Sequence, residues 1–315
     1  MISFIIIGRN EGWKLSICIN SVVETVLFNR LSNYEILYVD SNSTDDSIQI
    51  ARKFKNIKIL KLTKDCNPAI ARNTGANEAI GNVLFFLDGD MELNKRVFID
   101  LFNEKMNLKY DFISGDFQNY YYSDKISKKV IYKEMYHKNN KITKNFTTGG
   151  LFVIRKDKWD KVGGMRNIFK KSEDTDFGLR LSKKGIYMYR LPINLVNHHT
   201  INYKSDKRLW ADLFDSSFLY GRSLLYRNNV LNWNTFRLMI GQDYSFIVLF
   251  FVVLLSILFW NYKIMSVYII VVILRTLLKR DSKYLIYFII RDVKVLLGFF
   301  FFSPKKNIVS YNVIR

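Results

Sequence analysis

The 315-residue chain is poor in residues that cross-link small folds or bind zinc, with two cysteines, three histidines and three prolines. Cys18 lies in a helix-like pattern and Cys66 precedes Asn67-Pro68, so neither a disulfide framework nor a zinc site is supported. No predicted strand is followed by a Gly-x-Gly-x-x-Gly or Gly-x-x-x-x-Gly-Lys-Ser/Thr run, so neither a dinucleotide fold nor a P-loop is indicated. The N-terminus lacks the basic start and long apolar run of a signal peptide. We therefore expect the bulk of the chain to stay in the cytoplasm.

Acidic residues are also scarce, with 28 Asp and Glu against 48 Lys and Arg, which leaves a net charge of +20. Residues 204–315 hold 16 Lys and Arg against 6 Asp and Glu, interleaved with long Phe, Ile, Leu and Val runs. A basic segment can bind nucleic acid or an anionic membrane surface. Because the basic residues here alternate with long apolar runs, we expect a membrane surface as the partner and no nucleic acid. The shift in composition near residue 204 predicts a catalytic domain over residues 1–203 followed by an appendage.

Strands and helices alternate in the first part of the chain. A helical period from Leu15 to Val26, polar caps over residues 41–47, and Pro68 predict a helix after each of three strands. Such alternation implies an α/β fold with a mostly parallel, Rossmann-like sheet covered by helices on both faces. The predicted strands here are Ile2–Gly8, Glu35–Asp40, Ile57–Leu62 and Val83–Leu87. Further along, we expect strands at Phe112–Phe117 and Ile186–Leu191 and a helix at Ser123–His137.

Two carboxylates, Asp88 and Asp90, follow the fourth strand, at the kind of strand end where open α/β sheets bind ligands. Ionised carboxylates this close repel one another unless a cation lies between them, and a hard divalent ion carrying substrate phosphates meets that need. Asp and Gly also form ordinary turns, so a surface turn is the alternative. Glu11 and Asp40 follow the first two strands and should converge on the same edge. Arg72 either binds phosphate with the metal or is a solvated helix charge.

Two later patterns also have two interpretations each. Gly149 and Gly150 precede a strand and either permit close backbone approach to a ligand or form a simple turn. Glu173, Asp174 and Asp176 open a helix, where acids also serve as a cap cluster without any further function.

Four stretches, in this order and spacing, resemble the family-2 glycosyltransferases: Ile7–Glu11 (IGRNE), Val39–Asp45 (VDSNSTD), Ala71–Gly75 (ARNTG) and Leu87–Asp90 (LDGD). The resemblance covers about residues 1–200. It implies the GT-A fold, an inverting reaction, a UDP- or GDP-type nucleotide-diphosphate sugar as donor, and a divalent cation, Mg²⁺ or Mn²⁺.

The resemblance also implies roles for individual residues. Asp40 would read the base, Asp88 would contact the nucleoside and Asp90 would ligate the metal, with Gly8, Asn10, Glu11 and Arg72 also on the donor side. Gly149, Gly150 and Glu173 would lie beside the acceptor, Asp174 would be the general base with Asp176 as the alternative, and His198 would be a further metal or acceptor contact. The Gln-x-x-Arg-Trp motif of processive synthases is not matched at residues 204–210, which favours transfer of one sugar or a few.

Residues 244–315 are predicted to form a membrane-associated helical region. Residues 244–262 are uncharged and long enough to cross a hydrocarbon core of about 30 Å. Residues 264–278 would return the chain to a basic segment, so we expect a hairpin over 244–278, preceded by an interface linker at 204–243. Charges interrupt residues 284–302, which favours an interfacial helix. A buried helix pair in a soluble protein is the alternative.

Together these patterns predict a non-processive enzyme at the inner face of the cell membrane, with its catalytic domain in the cytoplasm. It would move a sugar to a hydroxyl of a lipid-linked glycan or polysaccharide precursor. Transfer to polyprenyl phosphate is one alternative. A non-catalytic membrane scaffold or sugar-binding module is another.

Overall fold

The computed structural model describes residues 1–123, 129–136, 140–147, 149–201, 210, 211, 213–215, 219 and 221–315. The stretch 204–209, where most of a processive motif would stand, lies outside these residues, as do a few further positions of the predicted 204–243 linker. The chain forms two compact units. The sheet unit comprises Met1–Ile168, Glu173–Tyr203 and Lys306–Arg315, and the helical unit comprises Phe169–Ser172 and Lys204–Lys305.

The sheet unit has the α/β character expected from the sequence, and the first four strands agree closely with the predicted ones. Its strands are β1 (Ile2–Gly8), β2 (Tyr34–Asp40), β3 (Lys58–Leu62), β4 (Val83–Asp88), β5 (Met91–Leu93), β6 (Phe112–Tyr122), β7 (Val130–Tyr136), β8 (Thr143–Asn145), β9 (Phe152–Arg155), β10 (Met188–Ile201) and β11 (Tyr311–Val313). Its helices are α1 (Trp13–Phe28), α2 (Ser47–Arg52), α3 (Pro68–Glu78), α4 (Phe98–Leu101), α5 (Lys156–Asp160) and α6 (Glu173–Lys183), with a 3-10 turn at Lys95–Val97.

The sheet has a parallel core with antiparallel strands added to it. Its strand order is β11-β3-β2-β1-β4-β9-β6-β10-β5, with β7 on β6 and β8 on β10. Pairing is parallel among β3, β2, β1 and β4 and between β6 and β10, whereas β5, β7, β8, β9 and β11 are added antiparallel. Parallel neighbours need a long crossover, and the short connection between β6 and β7 permits only an antiparallel pair.

Two elements differ from their predictions. The helix predicted over Ser123–His137 is wrong where the structure describes it, because Val130–Tyr136 forms strand β7. Its β-branched and aromatic side chains suit a pleated surface, and pairing with β6 overrides the helical period. Strand β10 extends well beyond the predicted Ile186–Leu191, so that His198 lies inside a strand rather than after one.

Packing on both faces of β1 fixes the carboxyl ends of the parallel strands. Helix α1 buries its apolar stripe on one face, and α3 packs on the other through small side chains. The approach of α3 is close: a Cβ added to Gly75 would lie 2.3 Å from Cγ2 of Ile5. The strand ends that carry the predicted site are therefore held by a well-packed core.

The named helices of the helical unit, among the residues described, are α7 (Ser223–Asn228), α8 (Trp233–Leu258), α9 (Met265–Lys279) and α10 (Lys283–Phe301). Of these described helices, α8 is the one long and apolar enough to cross a membrane. The backbone of α8 leaves the helical region at Asp243, just before the predicted span at residue 244. A 3-10 turn at Tyr262–Ile264 leads from α8 into α9.

The charges that interrupt α10 face into the helical unit. Arg291 and Asp292 are buried, and Nη1 of Arg291 lies 3.2 Å from Oδ1 of Asp243 on α8. The hydroxyl of Ser245 donates to Asp292 at 2.5 Å. These charges are thus paired inside the unit and do not require a water-exposed side of the helix. The interfacial position of this helix stays a prediction.

The end of the chain returns to the sheet unit, which the sequence did not predict. Strand β11 pairs antiparallel with β3. The amide of Ile314 donates to the carbonyl of Ile59 at 2.8 Å, and the amide of Ile59 donates to the carbonyl of Arg315 at 2.7 Å. Residues 306–315, which the sequence placed in the membrane-associated region, therefore cover an edge of the sheet.

Candidate active site

Arg72 joins acids from two distant parts of the sequence. Its side chain on α3 is only 3% exposed. One Nη atom donates to Oδ1 of Asp88, at the end of β4, at 2.8 Å, and the other donates to Oε1 of Glu173, at the start of α6, at 2.9 Å. Arg72 is therefore a buried cation and not a solvated helix charge. It brings an acid expected on the donor side next to one expected on the acceptor side.

The electrostatics of this cluster follow from its burial. Burial raises the pKa of Asp88 and raises the pKa of Glu173 to about 7, although the guanidinium of Arg72 opposes both shifts. For Arg72, burial lowers the pKa, but Asp88 and Glu173 outweigh it and the pKa is raised. The cation and the two carboxyl groups therefore depend on one another for their charge states.

A second cluster surrounds Asp90. Nε2 of His198 and Nζ of Lys14 lie 3.4 and 3.6 Å from Oδ2 of Asp90, and Lys14 also pairs with Glu11 at 2.7 Å. Burial opposes ionisation of Asp90, yet His198 and Lys14 outweigh it and hold the pKa of Asp90 below its usual value. Burial raises the pKa of Glu11 to about 7, and the nearby negative charge of Asp90 adds to this shift. The pKa of His198 is raised because the Asp90 carboxylate outweighs the effect of burial.

Asp90 and His198 fit a divalent cation only with help from substrate. Among the residues described, no three His, Cys, Asp or Glu side chains form a ready metal site. The carboxylate and the imidazole lie side by side and provide two ligands. Magnesium commonly takes only one or two protein ligands and completes its shell with phosphate oxygens and water. Asp90 and His198 therefore suit a divalent cation whose remaining ligands are diphosphate oxygens and water.

Gly149 and Gly150 each lie against one carboxylate of the site, Asp174 and Asp88 respectively. The amide of Gly149, a residue with φ of 65°, donates to Oδ2 of Asp174 at 3.0 Å. A Cβ added to Gly150 would lie 1.8 Å from Oδ2 of Asp88, so only glycine permits this approach. The backbone at Gly149 and Gly150 thus connects Asp174 with Asp88.

Asp176, the alternative to Asp174, has a structural role. Its carboxylate is fully buried and accepts hydrogen bonds from Arg166 at 3.0 Å and from Arg180 at 2.9 Å. Arg180 also donates to the carbonyl oxygen of Gly164 at 2.7 Å. This network fixes the start of α6 and leaves Asp174 as the more accessible of the two carboxylates.

Asp40 lies at the same sheet edge but faces inward. Its carboxylate has no exposed surface and accepts hydrogen bonds from the Tyr38 hydroxyl at 3.0 Å and the Ser43 amide at 2.8 Å. Asn10 holds the same loop, because its Oδ1 accepts from the Thr44 amide at 2.8 Å. These contacts order the loop after β2, and base reading by Asp40 stays a prediction.

Two contacts of the site were not predicted from the sequence. Lys14 lies in the first turn of α1 and pairs with Glu11, which precedes the helix by two residues. Asn119 on β6 holds His198, with Oδ1 of Asn119 2.8 Å from Nδ1 of His198. The partner of His198 depends on strand pairing and carries no local signal. Gly8 was predicted, and a Cβ there would lie 3.1 Å from Cγ of Glu11.

The chain is similar in sequence to a known protein family and to known proteins. The model of Glycosyl transferase family 2 matches residues 3–175. The poly(ribitol-phosphate) β-N-acetylglucosaminyltransferase TarP of Staphylococcus aureus is 24% identical over 249 residues, which cover 72% of this chain and 74% of TarP. Glycosyltransferase AglE of Haloferax volcanii is 38% identical over 93 residues, or 28% of this chain and 30% of AglE.

Solved structures share the fold. Residues 1–349 of S. aureus TarS in complex with UDP-GlcNAc align with a TM-score of 0.53 and 17% identity, covering 73% of this chain and 66% of that one. GalNAc-T7 with UDP, GalNAc and Mn²⁺ aligns with a TM-score of 0.56 and 15% identity, covering 71% and 47%. The family model spans more than half of the chain and these folds agree with it, so the chain belongs to glycosyl transferase family 2 and is a glycosyltransferase with the GT-A fold.

Proposed function

We propose that the chain is a membrane-associated, inverting, non-processive glycosyltransferase. It moves a sugar from a UDP-sugar to a hydroxyl group of a lipid-linked glycan or polysaccharide precursor. The observation that carries the proposal is the cluster in which Arg72 bridges Asp88 and Glu173, next to the acid Asp174 held by the Gly149 amide. In this proposal, the cluster would bring the groups that bind donor and acceptor within reach of one another.

On the donor side, Asp88 contacts the nucleoside and Lys14 contributes positive charge beside the diphosphate. Asp90 and His198 would hold a divalent cation, which when bound offsets the negative charge that develops on the departing UDP. Support for UDP comes from the TarS complex with UDP-GlcNAc, and support for the cation comes from the GalNAc-T7 complex with Mn²⁺.

On the acceptor side, Asp174 takes the proton from the attacking hydroxyl. The hydroxyl oxygen forms its bond to the anomeric carbon on the face opposite the leaving UDP, and this single displacement inverts the configuration. The Gly149 amide orients the Asp174 carboxylate. Glu173, fixed by Arg72, lies beside it and helps to position the acceptor.

Membrane association is supported by the surface of the helical unit. Helix α8 is long and apolar enough to span a bilayer and exposes Phe251, Leu254 and Leu258. Trp260, in the turn that follows, is 95% exposed. Exposed apolar surface of this extent suits lipid contact, and the basic residues of this region suit an anionic inner leaflet. The helical unit would then hold the enzyme where lipid-linked acceptors are found.

The test replaces Asp174 with asparagine. We expect Asp174→Asn to abolish transfer from UDP-sugars while calorimetry still detects UDP binding in the presence of Mn²⁺. Asp160→Asn, at an exposed carboxylate at the end of α5, is the matched control and should retain full activity. Turnover by Asp174→Asn near the wild-type rate contradicts the assignment of the base. Mass analysis of the lipid product then shows whether a hydroxyl or a polyprenyl phosphate received the sugar.

A further inference from the structure

Strands β6 and β7 carry aromatic rings at facing positions. The strand register pairs Phe117 with Tyr136 and Tyr121 with Tyr132, and the rings of each pair stack with centroids 4.4 and 4.3 Å apart. The polar pair formed by Asn119 and Glu134 lies between them on the same face. We name this surface the tyrosine ladder: Phe117, Asn119, Tyr121, Tyr132, Glu134 and Tyr136.

Core packing does not account for the outer side of the tyrosine ladder. All of β7 after Val130 is exposed, and Tyr132 and Tyr136 are 37% and 43% exposed. Among the described residues, neither ring belongs to the two hydrophobic clusters that pack on the faces of β1. Large aromatic rings held in place by stacking, yet open to solvent, are typical of a binding surface.

The tyrosine ladder is continuous with the candidate active site. Nδ1 of His198 lies 2.8 Å from Oδ1 of Asn119, and its ring centroid lies 5.8 Å from that of Phe117. On its other side, His198 lies 3.4 Å from Asp90. A molecule lying on the ladder therefore extends from His198 along β6 and β7.

The chemistry of the tyrosine ladder favours a glycan over other ligands. Pyranose rings stack their C–H faces on aromatic rings and bond through their hydroxyl groups to carboxylates and amides. The exposed Glu134 lies between the two stacked pairs as a polar group, and the Tyr121 hydroxyl donates to it at 3.1 Å. A phosphate or nucleic acid would meet the Glu134 carboxylate, whereas the cation of this strand, Lys133, stacks over Tyr120 on the opposite face at 4.5 Å.

We propose that the tyrosine ladder binds the sugar rings of the acceptor glycan next to the one that reacts. This inference rests on the proposed function and specifies its acceptor. Phe117 and Tyr121 are four residues apart, so the two stacked pairs are separated by about 13 Å, the length of about two or three sugar rings. The enzyme then prefers an oligosaccharide chain to a single sugar as acceptor.

Direct binding tests the tyrosine ladder without any transfer reaction. Chitotetraose, cellotetraose and maltotetraose are titrated onto the full chain and followed by saturation-transfer NMR. We expect at least one to bind, and Tyr132→Ala and Tyr136→Ala each to weaken it about tenfold. Tyr132→Phe keeps the ring and should bind nearly as well as the wild type. Ile131→Ala removes an exposed apolar side chain from the opposite face of β7 and should have no effect.

The outcomes separate this inference from the proposed function. If no tetrasaccharide binds, or if Tyr132→Ala and Tyr136→Ala both bind as tightly as the wild type, the tyrosine ladder is not a glycan site. If UDP-sugar turnover continues in that case, the proposed function stands without it. Glycan binding that depends on Tyr132 and Tyr136 in a chain that turns over no UDP-sugar supports the ladder and contradicts the transfer reaction.

Discussion

Replacing Arg72 with methionine removes the cation between Asp88 and Glu173 and leaves a side chain of similar length. Breaking a buried ion pair costs about 3–5 kcal/mol, because the remaining charges stay buried without a partner. The Glu173 side chain is 12% exposed and that of Asp88 is 33% exposed, and water relieves part of the cost at Asp88. We therefore expect a loss of about 3 kcal/mol in the stability of the surrounding structure at pH 8.

The loss should depend on pH in a defined direction. The pKa of Glu173 is already raised to about 7 in the wild type, where burial outweighs the stabilising Arg72. Without Arg72 its folded-state pKa rises further above the unfolded value, so the folded variant binds protons that the unfolded chain does not. Its stability then falls as the pH rises, and the deficit against the wild type is largest at pH 8 and shrinks towards pH 5.

Hydrogen exchange of peptides from α3 and β4 measures this effect in the sheet unit alone. Arg155→Met is the matched control, because Arg155 pairs with Asp157 while 51% exposed and should contribute at most about 1 kcal/mol. Protection in Arg72→Met equal to that of the wild type at pH 8 refutes the ion-pair argument. An equal deficit at pH 5 and pH 8 refutes the assignment of the titrating group.

Two further substitutions test the neighbouring contacts. Lys14→Met removes the ammonium proposed to lie beside the donor diphosphate and should weaken UDP binding about tenfold by calorimetry in the presence of Mn²⁺, and unchanged binding contradicts this role. Gly150→Ala places a Cβ within 1.8 Å of Asp88 and should weaken UDP binding by at least about tenfold. Gly241→Ala, where the added Cβ meets no atom within 4 Å, is its control and should bind UDP normally.

The parallel half of the sheet was predictable because its signals are local. Apolar runs ended by Gly or Asp, and helices with caps between them, set β1 to β4 and the order of α1 to α3. Strand β7 was not predictable in the same way, because its seven residues also fit a helical period. Pairing with β6 decides its structure, and such pairing depends on the whole chain.

The candidate site shows the same division between local and distant signals. Asp88 and Glu173 each stood out in their own stretch, but Arg72, which joins them, is 101 positions away from Glu173. From the sequence, Asp176 ranked behind Asp174 as the base, and the two arginines that bury Asp176 agree with that order. Residue types and spacing therefore indicated which acids matter, whereas tertiary contacts determine which of them is held and which is accessible.

The helical unit shows why charge alone is an ambiguous guide to membrane contact. Arg291 and Asp292 interrupt an apolar stretch, and from the sequence alone they suggest a helix with one side exposed to water. In the structure both are buried and paired within the unit, where Ser245 donates to Asp292 and Asp243 lies beside Arg291. With those charges paired inside, α10 exposes Leu297, Phe300 and Phe301 on its outer side. A helix that hides its charges in this way can meet lipid at an apolar surface despite its composition.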